Sequence, residues 1–205
     1  METRKTPSAG SGTILTVGHG TLGAEVFLDL LREAGADAIV DVRSFPGSRR
    51  HPQFGRSEME GWLPEGGVGY RWERGLGGFR KPAPDSPNVA LRHPGFRGYA
   101  DYMARAEFGA GIGHLMAQSR QRPEGSLAIM CSESVWWRCH RRLIADHLVL
   151  VEGVGVRHLM HDGRRSPHVP TDGARVSPDG HLVYDVGHPV PLQLGPDESR
   201  TPRSS

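Results

Sequence analysis

Residues 13–43 read TILTVGHGTLGAEVFLDLLREAGADAIVDVR, and the order of patterns in this stretch sets the fold. TILTV (13–17) is a short apolar run rich in β-branched residues that stops at Gly18-His19-Gly20, as a buried strand does before a tight turn. Thr21 is placed to cap the helix that follows. In LGAEVFLDLLREAG (22–35), Leu22, Val26, Leu30 and Leu31 recur at helical spacing and Gly35 ends the run. ADAIVDV (36–42) is a second strand. Strand, helix and strand in this length of chain make a βαβ unit, so the two strands are expected to run parallel.

Outward from this unit the alternation continues. A loop, RSFPGSRRHPQFG (43–55), leads to a short helix over 57–67 and a strand, VGYRW (68–72). Residues 73–97 are rich in glycine and proline without periodicity; an irregular segment of that length inside a domain is usually functional or mobile. Helices are expected over 98–108 and 111–121, a fourth strand over SLAIMC (126–131), a helix over WWRCHRRLIADHLVL (136–150) and a fifth strand over VGVRHLM (154–160). VYDVG (183–187) is a candidate edge strand. The pattern predicts one compact α/β domain over 13–176, a mostly parallel, Rossmann-like sheet of about five strands flanked by helices. Residues 1–12 read as a disordered arm and 177–205 as an irregular or partly disordered tail.

The 205 residues suffice for one domain with a core, and no apolar run approaches the roughly 20 residues that span a bilayer. METRKTPSAGSGT (1–13) has no apolar stretch of the secretory kind, so a reducing cytoplasm is expected, with no membrane partner and no disulfide between Cys131 and Cys139. The net charge of +2 is compatible with an anionic ligand and does not by itself indicate nucleic acid.

Ligands of open α/β sheets bind outside the carboxyl ends of the strands. Those ends carry His19, Asp41 with Arg43, Arg71-Trp72-Glu73, and Cys131 with Glu133. Cys131, ahead of a helix start and near Arg138, is a candidate thiolate, hence nucleophile or soft-metal ligand, or else a packed cysteine. Cys139, four residues before Leu143, is expected to point into the core as filler. Glu133 is a candidate acid/base or a helix cap, His19 a second base or ligand, and Asp41 an orienting group or half of a structural ion pair with Arg43. His140, one step round the helix, is expected to face the rim or water, and Arg141 and Arg142 are anion holders or else surface charge. Metal candidates are Cys131, Cys139, His140 and His19, although the spacing is not that of a zinc finger; a haem is conceivable without a c-type attachment motif.

The loop after Asp41 joins Arg43, Arg49, Arg50, His51 and Arg56 to Phe45 and Phe54, a composition suited to a nucleotide or single-strand surface, or else a solvated basic loop. YRWERGLGGFRK (70–81) and HPGFRGYADYM (93–103) bring Tyr70, Gly77, Gly78, Arg97 and Tyr99 as further ligand candidates, with Phe79, Phe96, Tyr99 and Tyr102 able to close over a pocket or else forming the core of an irregular lid. Histidines 158, 161, 168, 181 and 188 are read as surface groups or local hydrogen bonders.

The run TVGHG, DVRSFPGSRRHPQF, LGGFRKP, FRGYADYM and MCSESVWWRCHRRLIAD resembles, in this order over roughly 13–176, the domain of unknown function 488 family (DUF488). The resemblance implies a compact α/β domain and supplies no reaction. Its motifs fall on Gly18-His19, Asp41-Val42-Arg43, Leu76-Gly77-Gly78, Gly98-Tyr99, Cys131, Glu133 and Cys139-His140-Arg141. A weaker similarity to rhodanese-type sulfurtransferases rests on Asp41-Val42-Arg43 and the later strand-end cysteine; the Trp136-Trp137 pair departs from an open anion cradle. The leading expectation is an enzyme using Cys131, Glu133 and His19 on an anionic small molecule. The alternatives are a nucleotide- or nucleic-acid-binding module built on 43–56, and a metal- or haem-binding enzyme. Substrate, cofactor and oligomeric state are not set by the sequence.

Overall fold

In the computed structural model of the protein, residues 12–47, 49–122 and 126–186 are described; the expected N-terminal arm, apart from Gly12, and His188 lie outside them. The elements in chain order are β1 (Ile14–Gly18), α1 (Ala24–Glu33), β2 (Ala36–Asp41), α2 (Arg56–Glu65), β3 (Gly69–Trp72), α3 (Pro94–Met103), α4 (Ala106–Arg120), β4 (Ser126–Cys131), α5 (Arg141–Leu150), β5 (Val156–Leu159), β6 (Arg165–Pro167), β7 (Ala174–Val176) and β8 (Leu182–Tyr184). Six strands form one sheet in the order β3-β2-β4-β1-β5-β6, parallel except for the β5–β6 pair. The α/β class and the parallel βαβ unit stand as expected, with β4 inserted between β1 and β2.

The apolar runs exist because the sheet is covered on both faces. On β4, Leu127, Ile129 and Cys131 join the core cluster that contains α3, α4 and α5, while Ala128 and Met130 join the cluster that contains α1 and α2. The two-residue period of a strand therefore puts Cys131 on the α5 side. The connection after β1 runs over one face and the one after β4 over the other, so the chain diverges at the carboxyl ends of these neighbouring strands. That divergence is the topological switch point where open sheets form crevices.

Four boundaries differ from the sequence reading. The break between α3 and α4 lies at Ala104–Arg105 and not at 109–110, and α3 begins at Pro94, whose missing amide hydrogen costs nothing in a first helical turn. The helix expected over 136–150 is broken: Trp136–Arg138 form a 3-10 turn, Cys139 is extended (φ −119, ψ 149), and α5 starts only at Arg141. Past Val176 the chain keeps structure: β8 pairs with β7 as a separate hairpin, and Tyr184 is fully buried, its hydroxyl donating to Asp146 Oδ2 at 2.9 Å.

Histidines 158 and 168, read from sequence as surface groups or local hydrogen bonders, are buried, and their hydrogen bonds are mostly long-range. They form a relay: Thr16 Oγ1 to His158 Nδ1 at 2.7 Å, His158 Nε2 to His168 Nδ1 at 2.9 Å, and His168 Nε2 to Asp146 Oδ1 at 2.8 Å. Trp136 lies flat on His158, centroids 3.8 Å apart. The relay ties β1, β5, α5 and the segment before β7 together behind the carboxyl-end crevice. No described helix is long and apolar enough to cross a membrane.

Candidate functional site

The crevice is a cavity of about 850 Å³, within the range of small-molecule sites. Its floor holds Cys131, Cys139 and His140, and its wall includes Tyr99, Gly78 and Glu133. Cys131 arrives from the end of β4. Cys139 and His140 arrive from the break between the 3-10 turn and α5, so that break is what turns both side chains to the floor.

Three atoms able to ligate a metal, Cys131 Sγ, Cys139 Sγ and a ring nitrogen of His140, lie within 4.8 Å of one another. His140 Nε2 is 2.8 Å from the Val42 carbonyl oxygen and donates its proton there, since a carbonyl only accepts. In the neutral ring that bond sets the tautomer and leaves Nδ1 as a lone pair, 3.7 Å from Cys139 Sγ. Gly78 keeps the approach open, because a Cβ at this position would stand 3.0 Å from His140 Nδ1.

Charge is managed by Arg141, which is 1% exposed. Its Nε–H donates to Cys139 Sγ at 3.4 Å and its Nη2 to the Glu133 carbonyl. Burial pushes the Cys139 thiol up, but the hydrogen bond from Cys131 and the Arg141 charge outweigh burial and bring it down to about 6. Cys131, the donor of that bond and itself buried, is pushed up to about 12. Of the two, Cys139 is thus the candidate thiolate, its ionisation favoured over that of Cys131. The sequence reading made Cys131 a candidate thiolate or else a packed cysteine, and expected Cys139 to point inward, where it is indeed buried; the Arg141 hydrogen bond goes to Cys139 and not to Cys131.

The other expected residues divide between lining and support. Arg43 lines the cavity, and Glu133 lines it while its Oε1 accepts from the Val135 amide at 3.0 Å. Asp41 does not reach the cavity: it is fully buried and clamps Arg43 through bonds of 2.6 to 3.1 Å while accepting the Tyr70 hydroxyl at 2.8 Å. Asp41 and Tyr70 are therefore positioning groups for Arg43. His19 stacks on Phe54 at 4.1 Å, binds the Gly20 carbonyl and faces Arg43 Nη1 at 3.4 Å, outside the three-ligand cluster. Burial and the Arg43 charge push His19 down to about 4, so it is neutral. Phe54 is fully buried and cannot stack on a ligand. Arg141 is committed to Cys139 and the Glu133 carbonyl and does not hold a ligand anion. Arg97 binds the Leu91 carbonyl, and exposed Arg49 lies away from the cavity.

Gly77 allows a close backbone approach, since a Cβ there would meet Ser44 Cα at 2.8 Å. Of the aromatics expected to close over a pocket, Phe79, Phe96 and Tyr99 line it; Tyr102 instead donates to the Gly75 carbonyl. Arg80, Lys81, Trp137 and Arg138 also line the mouth, and sequence reasoning assigned them no ligand role. The available signal was their position, in the irregular 73–97 segment and in the turn after Cys131.

Comparison with known proteins finds no match among curated proteins and none among solved structures. A family model described as "Domain of unknown function DUF488" matches residues 23–148, which takes in β2, the cavity-lining segment 78–81 and the whole Cys131–Arg141 turn but leaves Gly18-His19 outside. The chain belongs to the DUF488 family.

Proposed function

We propose that the cavity is the active site of a metal-dependent enzyme acting on an anionic small molecule, with Cys131, Cys139 and His140 as the ligands of a zinc-like ion. One observation carries this reading. With Zn–S near 2.3 Å and Zn–N near 2.0–2.1 Å, the sulfur-to-nitrogen edge of a tetrahedral site is about 3.6 Å, and Cys139 Sγ and His140 Nδ1 stand 3.7 Å apart. The His140 Nε2 bond to a backbone carbonyl is the outer-shell contact that metal-bound histidines use to fix their tautomer. Ligand atoms converging on one point suit a compact ion better than the single axial ligand of a haem iron.

An ion held by these three residues would face the cavity that they line, and would supply Lewis-acid chemistry or a bound water of lowered pKa. Glu133 is the carboxylate that lines the cavity and the candidate proton acceptor or donor. The cations of the mouth, Arg80, Lys81 and Arg138, attract the anionic group. A reducing cytoplasm suits the site, because both cysteines are free and must stay so.

A second reading is favoured by the Arg141 hydrogen bond to Cys139: without metal, the same thiolate is a nucleophile. Metal analysis of freshly purified protein separates the two. The metal reading expects one equivalent of a thiophilic divalent ion, at least tenfold less in Cys139→Ser and His140→Ala. Metal-free protein that does not take up zinc, with rapid alkylation of Cys139 at pH 7, would overturn it in favour of the nucleophile.

A further inference from the structure

The mouth of the cavity has a composition that the metal cluster does not explain. Among the described residues, the exposed large aromatics are Phe45 at 76%, Phe79 at 91% and Trp137 at 48%, and all three line this one cavity. Exposed apolar area gathered at one place marks an interaction site. Phe79 is also, among the described residues, the one non-glycine residue with positive φ, at 59. For a bulky side chain that is a strained conformation, and strain of this kind persists only where the surroundings impose it. Here they do: Ser44 Oγ and Arg80 Nη1 each donate to the Gly78 carbonyl at 2.6 Å, and Arg80 Nη1 also reaches the Phe79 carbonyl at 3.2 Å. Behind them Gly98 lets α3 press on the 80–82 backbone, since a Cβ there would stand 2.6 Å from the Arg80 carbonyl oxygen. The ring of Phe79 is thus held out in water by a built support.

Beside the three rings stand Arg80, Lys81 and Arg138, which form no ion pair among the described residues, against one lining carboxylate, Glu133. Arg80 rests its guanidinium 4.0 Å over the Tyr102 ring, which fixes the charge in place without neutralising it. Flat apolar faces next to unpaired cations are complementary to a flat ring that carries an anion.

We infer that the cavity binds nucleoside monophosphates, the base between the mouth aromatics and the phosphate on Arg80, Lys81 and Arg138. The inference rests on the reading of the cavity as the active site and names its ligand class. The basic loop beyond Gly47 takes no part, since Arg49 lies away from the cavity and Phe54 is buried.

The test is titration of the full chain with AMP, GMP, CMP and UMP, followed by intrinsic tryptophan fluorescence and by calorimetry, with adenosine and inorganic phosphate as controls. Each titration is run on zinc-loaded and on chelator-treated protein. At least one nucleotide is expected to bind tenfold or more tightly than adenosine or phosphate. Phe79→Ala, at an exposed position where folding is not at issue, should weaken it at least fivefold. Arg138→Gln should weaken it and flatten its salt dependence. Nucleotides that bind no better than inorganic phosphate, or affinity indifferent to Phe79→Ala, would overturn the inference. Nucleotide binding retained in a protein that takes up no metal would refute the metal reading alone; metal uptake without nucleotide binding would refute this inference alone.

Discussion

The buried relay gives a pH dependence that can be worked from its geometry. His158 is 1% exposed, stacked on Trp136, and hydrogen-bonded through both nitrogens to Thr16 and His168. With His158 neutral, every bond in the chain is satisfied: Thr16 O–H to His158, His158 N–H to His168, His168 N–H to Asp146. Burial first, then the neighbouring His168 and Arg141, push the His158 pKa down from 6.5 to about 3. The unfolded chain therefore binds a proton that the folded chain refuses between these values. The associated stability is complete above pH 6.5 and is lost as the pH falls towards 3. At pH 5 the loss is about 2 kcal/mol, from 1.36 kcal/mol for each of the ~1.5 units below the unfolded pKa. Urea denaturation of the wild type and of His158→Gln at pH 7.5 and pH 5 measures it. The variant starts less stable, because stacking and relay geometry are lost, but its stability should fall by about 2 kcal/mol less between the two pH values. His19 has a depressed pKa too, but it is present in both proteins and cancels. Parallel losses in the two proteins would refute the argument that His158 is held neutral.

Two further predictions concern the support of the site. Gly18 pairs with Cys131 across β1 and β4, and a Cβ on it would overlap the Glu133 carbonyl and stand 2.8 Å from Arg141 Nη2. Gly18→Ala is expected to cost at least ~2 kcal/mol, in line with overpacking of a close-packed interior, and to raise the Cys139 thiol pKa by unseating Arg141; unchanged denaturation midpoint and alkylation profile would contradict it. Phe79→Gly should do the reverse, stabilising the fold by about 0.5–1 kcal/mol in chemical denaturation, because glycine relieves a left-handed conformation that costs other residues roughly 1–2 kcal/mol. A destabilised Phe79→Gly would mean that the ring packs in solution.

The sheet was legible because its strands are buried on both faces: ILTVG, ADAIVD and SLAIMC are nearly continuous apolar runs, and such runs have few other interpretations. The carboxyl-end rule then gathered Cys131, Glu133 and Arg43 at one cavity without knowledge of the strand order. What the sequence hid was the break at Cys139. WWRCHRRLIADHL contains neither glycine nor proline, and nothing local stops a helix there. The turn is held from outside, by the His140 bond to Val42 and the Arg141 bond to the Glu133 carbonyl, both long-range or loop contacts. The four-residue spacing of Cys139 and Leu143 pointed to a buried Cys139, which it is, but through a helical geometry that does not exist. The relay was invisible for the same reason: Thr16, Asp146, His158 and His168 are far apart in the chain, and only packing selects these two histidines from the others.

The metal reading stands on the convergence of Cys131, Cys139 and His140, and cobalt tests that convergence directly. Chelator-treated protein, kept reduced, is titrated with Co²⁺ and followed by visible and near-ultraviolet absorption. One equivalent should give intense tetrahedral d–d bands with sulfur-to-cobalt charge transfer, displaced by zinc, and lowered charge-transfer intensity in Cys131→Ser and Cys139→Ser. A weak six-coordinate spectrum like that of free Co²⁺, or bands unchanged in both serine variants, would contradict a metal site at the floor of this cavity.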